Sequence, residues 1–543
     1  MGSVARIGFM DWDIMKSLKL RGMCIRLFML FALLAFLPGL AQAQFSFITN
    51  ADNTITITGY NGTNTDVVIP DSTNGYPVTG IGNLALVTSP PLTSVTMGNN
   101  VTNIGYEAFY LCAITNINMP DGVVSIGDKA FYYCRNLRSI TLPNGIGNIG
   151  DSVFGSCSSL KDVAIGTNVT SIGHEAFRDC TNLMSITLPD DVASIGSDAF
   201  FNCTSLTNAA ILGSITNIGN YAFNNCASLA SFILPTNIAD IKSGVFSGCG
   251  RLTSIAIPTN IKSIGDTAFY HSGLTNIVIP ESVTKIGNAA FAYCTSLNTI
   301  TVDTNNPAYS SMAGILFDKN QTELCQFPGG KGGDYTIPDS VTNISGTFWA
   351  CDKLTNVVMG TNITSIPDGL FEHCTSLNNI VIPKSVTSIG IFAFLGCASL
   401  TTVTIPFGVT NIGNQAFSYC PQLIAIYFLG NAPTNIGMDP FDFVTLYYLP
   451  GTSGWEASFM NYPTALWLPE MRSDNNSYGI HTNQFGFTLN WASGQTVVVE
   501  ACTNLFNPDW QPLQTNTLTS GSAYFSDPQW MNYPGRFYRL RSP

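Results

Sequence analysis

Ala176-Phe177-Arg178-Asp179-Cys180-Thr181-Asn182-Leu183-Met184-Ser185-Ile186-Thr187-Leu188-Pro189-Asp190-Asp191-Val192-Ala193-Ser194-Ile195-Gly196 is the stretch that decides the fold. Its leading aromatic returns every 23 residues, sometimes 22, as Phe109, Phe131, Phe154, Phe177, Phe200, Phe223, Phe246, Phe269 and Phe291. After a gap the series resumes at Phe348, Phe371, Phe394 and Phe417. A fixed period of this length marks a solenoid, in which each coil buries its apolar side chains only against its neighbours.

With Phe177 as origin, the apolar sites are Cys180, Leu183, Ile186, Leu188, Val192 and Ile195. That spacing is not the 3.6-residue period of a long helix. Ser185-Ile186-Thr187-Leu188 alternates as a strand must, and Pro189 ends it because proline cannot donate to a ladder. Val192 and Ile195 turn inward on the return, and Gly196 permits a turn that a side chain would hinder. Asp128, Asp151, Ser197 and their equivalents stand three residues before each Phe and predict N-caps. One short helical turn then follows, with Phe and Cys on the same side.

The pattern A-F-x-x-C-x-x-L-x-x-I-x-(I/L)-P-x-x-V-x-x-I-G resembles the BspA-like leucine-rich repeat, a family of secreted and surface proteins. The resemblance covers residues 86–430. It implies a curved solenoid with a parallel sheet on one face, used for adhesion or partner binding, and no shared catalytic residue. The expected fold class is therefore a leucine-rich-repeat solenoid of short strands and short helical turns, followed by a small all-β domain.

The ends and the interruption complete the division of the chain. Lys16, Lys19, Arg21 and Arg26 precede the apolar run Leu27 to Leu37, and Ala41-Gln42-Ala43 offers small residues for cleavage. This predicts a signal peptide over residues 1–43, with 1–14 an over-long start, and an exported product that is secreted or held at the cell surface. Residues 44–85 are expected to cap the array, 431–472 to form the other cap and a linker, and 473–543 to form the β-domain. An insert at 303–334 separates Phe291 from Phe348 by 57 residues and reads as a hairpin.

Charged residues make up only 10% of the chain, and the net charge is −12. Nucleic acid is thereby excluded as a partner, since phosphate binding needs clustered Lys and Arg. Gly145-Ile146-Gly147-Asn148-Ile149-Gly150 matches a dinucleotide fingerprint but lacks the surrounding βαβ unit, so no cofactor follows from it. The twelve in-phase cysteines from Cys112 to Cys420 are expected to be buried and unpaired. Parallel neighbours at the strand spacing suit a disulfide poorly, and no metal-ligand spacing is present. No catalytic, cofactor or metal residue is predicted.

Binding candidates remain. The outward strand column Ser139, Asp162, Ser185, Asn208, Ser231 and Ser254 forms a small, polar, nearly uncharged strip. Tyr309, Phe317 and Phe327 of the insert are expected to add an apolar anchor. Arg536, Arg539 and Arg541 are expected to leave the C-terminal end locally positive. The reading is a non-enzymatic module that binds a macromolecular partner, a protein or a glycan. The alternatives are a secreted enzyme with its site in the C-terminal domain and a structural envelope component.

Overall fold

A computed structural model describes residues 44–88, 91–211, 215–345, 348–473 and 477–543. The expected signal peptide lies outside these residues. The chain divides into two compact units, Met1–Leu274 with Lys285–Ala290, and Thr275–Thr284 with Phe291–Pro543.

In the first unit most coils contribute to two parallel ladders. One runs through Asp66–Val68, Ser94–Thr96, Asn116–Asn118, Ser139–Thr141 and Asp162–Ala164. Ser139 pairs with Asp162 and Ile140 with Val163, so the register reproduces the sequence period. The same ladder side continues in the pair Ser185–Leu188 and Asn208–Ile211. The other ladder uses the two-residue strands before each repeat glycine, such as Asn148–Ile149, Ser171–Ile172 and Ser194–Ile195. Ahead of both, Phe45–Thr49 pairs antiparallel with Ile55–Tyr60.

The segment around each Phe is not a helical turn. Its donors alternate instead. Ala108, Tyr110 and Cys112 donate three residues back, to Gly105, Glu107 and Phe109, at 3.3, 3.1 and 3.1 Å. Glu107, Phe109 and Leu111 donate to the next coil, to Asp128, Ala130 and Tyr132, at 3.1, 2.8 and 3.0 Å. Glu107 and Leu111 have φ of 51° and 61°, and left-handed residues stop a right-handed helix from propagating. The N-cap expectation is corrected with it. The Asp128 carboxylate accepts from the Asp151 backbone N–H at 2.9 Å, and Asp151 from His174 at 2.8 Å. These side chains tie one coil to the next.

The core follows the predicted columns. Phe109 through Phe269 stack with ring centroids 4.9 to 6.1 Å apart. No disulfide joins the described cysteines, and every in-phase one is buried. The Cys203 thiol lies 3.1 Å from the Phe177 carbonyl of the preceding coil, so a thiol satisfies a second lone pair of a buried acceptor. Gly196 is needed for close approach. A Cβ there would lie 2.6 Å from the Gly173 carbonyl carbon and 2.7 Å from the His174 nitrogen.

In the second unit the insert is a three-stranded antiparallel meander, Tyr309–Met312, Ile315–Asp318 and Glu323–Gln326. Its last strand pairs parallel with Asn343–Ile344 and so rejoins a ladder. Buried Asn306 anchors its start, donating to the carbonyls of Pro280 and Val283 at 2.8 and 2.9 Å. Phe327 stacks on Phe348 at 4.7 Å, much as Phe348 meets Phe371 at 5.0 Å. Phe327 therefore opens a shortened coil that the sequence period hides. Phe371, Phe394, Phe417 and Phe441 continue the column.

The C-terminal part is an antiparallel sandwich. One sheet holds Glu470–Arg472, Gly479–His481, Gln484–Asn490 and Ser522–Asp527. The other holds Thr496–Cys502, Gln511–Thr517 and Phe537–Arg541. Its first strand begins at Glu470, three residues before the expected boundary. Phe487, Leu489, Val497, Val499 and Phe525 form its core, and array residues Leu429, Leu449 and Trp467 pack against it.

Candidate ligand-contact surfaces

Strand alternation fixes which side chains reach solvent. Ile140, Ile186 and Ala209 point inward, so Ser139, Ser185 and Asn208 beside them are exposed. Asp162 is exposed in the same register. Ser231 and Ser254 are exposed too, but neither lies in a strand. Asp162 and Ser185, with Thr167, Thr187 and Pro189, line a shallow concavity of about 490 Å³. Rungs of the strip meet through weak polar contacts such as Ser139 Oγ to Asn116 Oδ1 at 3.4 Å.

The insert does not supply the expected anchor. Phe317 and Phe327 are fully buried within the hydrophobic core of the second unit. Phe327 fills a column position and Phe317 packs beneath the meander, so neither ring reaches a ligand. Tyr309 stays half-buried at the meander's first strand. The adjoining turn is held by Asp318, which accepts from the Thr322 and Glu323 backbone N–H groups at 2.7 Å each. Burial alone would raise the Asp318 carboxyl, but these bonds outweigh it and hold it below the usual range.

The column directly after each Phe packs between coils. Tyr110 stacks on Tyr132 at 6.0 Å, and the Arg178 guanidinium lies 4.2 Å from the Phe201 ring centroid. A second polar strip escaped the sequence reading. It is formed by Asn103, Ser125, Asn148 and their equivalents on the two-residue ladder. Ser125 Oγ bonds Asn103 Oδ1 at 3.0 Å. The recurring (Ser/Asn)-Ile-Gly triplet was its signal.

The C-terminal arginines are paired, contrary to expectation. Arg536 Nη1 lies 2.8 Å from buried Asp527. Arg539 Nη2 and Arg541 Nε lie 2.6 and 2.9 Å from the two oxygens of buried Glu500. Two of the three positive charges are thus offset within the sandwich. Among the described residues no group of three or more His, Cys, Asp or Glu stands together as a metal site. No helix among them is long and apolar enough to cross a membrane.

Residues 79–207, 170–298 and 332–449 match the BspA-type leucine-rich repeat region, together more than half of the chain. The chain belongs to the BspA-type leucine-rich repeat family. Among solved structures, a leucine-rich repeat protein from Bacteroides ovatus is 26% identical. That match covers 78% of this chain and 98% of that one, with a TM-score of 0.48. A leucine-rich cell surface protein from Faecalibacterium prausnitzii is 30% identical over 72% of this chain and 94% of that one, with a TM-score of 0.43. The pneumococcal vaccine antigen PcpA is 18% identical over 74% and 85%, with a TM-score of 0.32. No curated protein matches the chain.

Proposed function

We propose that this protein is exported and non-enzymatic, and that it binds a protein or glycan at or outside the cell surface. The observation that carries this reading is the strip. Ser139, Asp162, Ser185 and Asn208 stand exposed at one register position on successive rungs, with one charge among them. Repetition of this kind suits an extended partner better than a small molecule, which needs an enclosed apolar pocket. Ser231 and Ser254 extend the strip, and Tyr309 is a separate candidate contact in the second unit. The leader before Gln44 supports export, and the family's surface proteins fit it.

The test uses the mature chain from Gln44, presented to cell-surface extracts and glycan arrays. Ser139→Arg and Ser185→Arg place long charged side chains on the strip without touching the core. Both should abolish capture of the partner while the protein stays folded. Undiminished capture by both variants would show that the strip is not the contact face.

A further inference from the structure

The second unit holds a cleft that no repeat position predicts. Its floor is the outer side of the coils around Val358, Val381 and Thr404, and its wall is the sandwich at Asn490–Gln495 and Ser520–Gly521. Its volume is about 930 Å³, within the range of ligand sites. The wall is fixed. Trp491 Nε1 donates to the Trp467 carbonyl at 2.9 Å, and Leu429 and Trp467 pack into the sandwich core.

The lining departs from the repeat at one telling place. The residue after the strand proline is Asn144, Asp190, Thr236, Thr259 or Lys384 in other coils, and here it is Phe407. Its ring is 65% exposed, although a polar side chain suffices at that turn everywhere else. Val358 and Val381, 39% and 47% exposed, continue an apolar floor beside it. Around this floor stand neutral hydrogen-bonding groups: the amides of Asn379, Asn490 and Gln495, and the hydroxyls of Thr404 and Ser520. Lys384 is the one charged residue in the lining.

We infer that this cleft binds a neutral saccharide chain. A sugar ring offers an apolar C–H face for Phe407 and the valines, and a rim of hydroxyls for the amides. An acidic polymer would find one cation. A peptide would lack its usual means of docking by strand addition. Leu354–Val358 already pairs on both sides, and Thr402–Ile405 pairs with Ala425–Phe428. The inference stands on the cleft and does not require the strip.

Glucose, mannose and xylose hexasaccharides, titrated into the mature chain and followed by calorimetry, are the probes. At least one should bind, with little dependence on salt. Phe407→Ala should weaken it about tenfold or more, as loss of a central aromatic contact does. Its melting temperature should not move, because the ring is exposed. Gln495→Ala should weaken binding severalfold, and Ser185→Arg should leave it unchanged. Failure of all three probes, or binding that survives Phe407→Ala, would overturn the inference. Loss of saccharide binding in Ser185→Arg alone would move the sugar to the strip, overturning the cleft while supporting the strip.

Discussion

The repeat coils and the C-terminal sandwich bury polar groups by opposite chemistry. In the coils the buried groups are uncharged, chiefly thiols that rest on a carbonyl of the neighbouring coil. In the sandwich they are carboxylates, Glu500 and Asp527, held by arginines. Burial pushes Cys112, Cys249 and Cys420 up to about 12, and it also raises Cys180 and Cys226 well above the usual thiol range. A thiol that stays protonated when folded but ionises near its ordinary 9.0 when unfolded stabilises the coils fully below that pH. The contribution is lost as pH rises from 9.0 towards the folded value, and each thiol gives up about 1.4 kcal/mol for every tenfold fall in proton concentration across that window. Glu500 is held below its ordinary 4.5, first by the hydrogen bond from Arg541 and then by that from Arg539. Its contribution is present above 4.5 and lost as pH falls through the depressed value. Tyr538 gives the sandwich an alkaline limb as well, because burial and then Asp527 raise it, but that limb starts from 10.0. One chain thus carries an alkali-sensitive region and an acid-sensitive one.

The largest effect expected from a single change is in the coils. Phe200 is fully buried between Phe177 and Phe223, at 5.3 and 5.1 Å. Phe200→Ala should cost about 3–5 kcal/mol, as removal of a buried ring does. Denaturant unfolding should show that loss in the repeat transition and leave the sandwich transition in place. A common shift of both would erase the contrast. A smaller effect is expected from Glu500→Gln, which leaves two arginines without their counter-charge. The loss should be roughly 1–2 kcal/mol, less than for a fully buried pair because both guanidiniums remain about half exposed. The sandwich's melting should also become less dependent on pH below 4.5, which melting curves on the acid side would check.

Much of the coil was legible because its signals are local. Leu183, Ile186 and Val192 announce the core by position, and Ser185 announces an outward face by alternation. The turn around Phe was misread because Phe and Cys three residues apart fit a helical turn and consecutive tight turns equally well. Glu107, Lys129 and Glu175 adopt positive φ without being glycine, so no residue type marks the difference. Phe327 was misread because its coil is shortened and follows the meander. Arg539 and Arg541 looked free because Glu500 lies some forty residues earlier and meets them only through sheet pairing. The cleft depends on two distant segments in the same way. Within it, only Phe407 carried a sequence signal, an aromatic at a turn position that is otherwise polar.

Limited proteolysis at both ends of the pH scale, with the fragments identified by mass, tests the contrast most directly. Pepsin below pH 4.5 should cut first within 470–543 and spare the repeats. Subtilisin above pH 9.0 should open the repeats around the Phe and Cys columns first. If the same region is cut first at both extremes, buried thiols and buried carboxylates do not divide the stability of this protein as described.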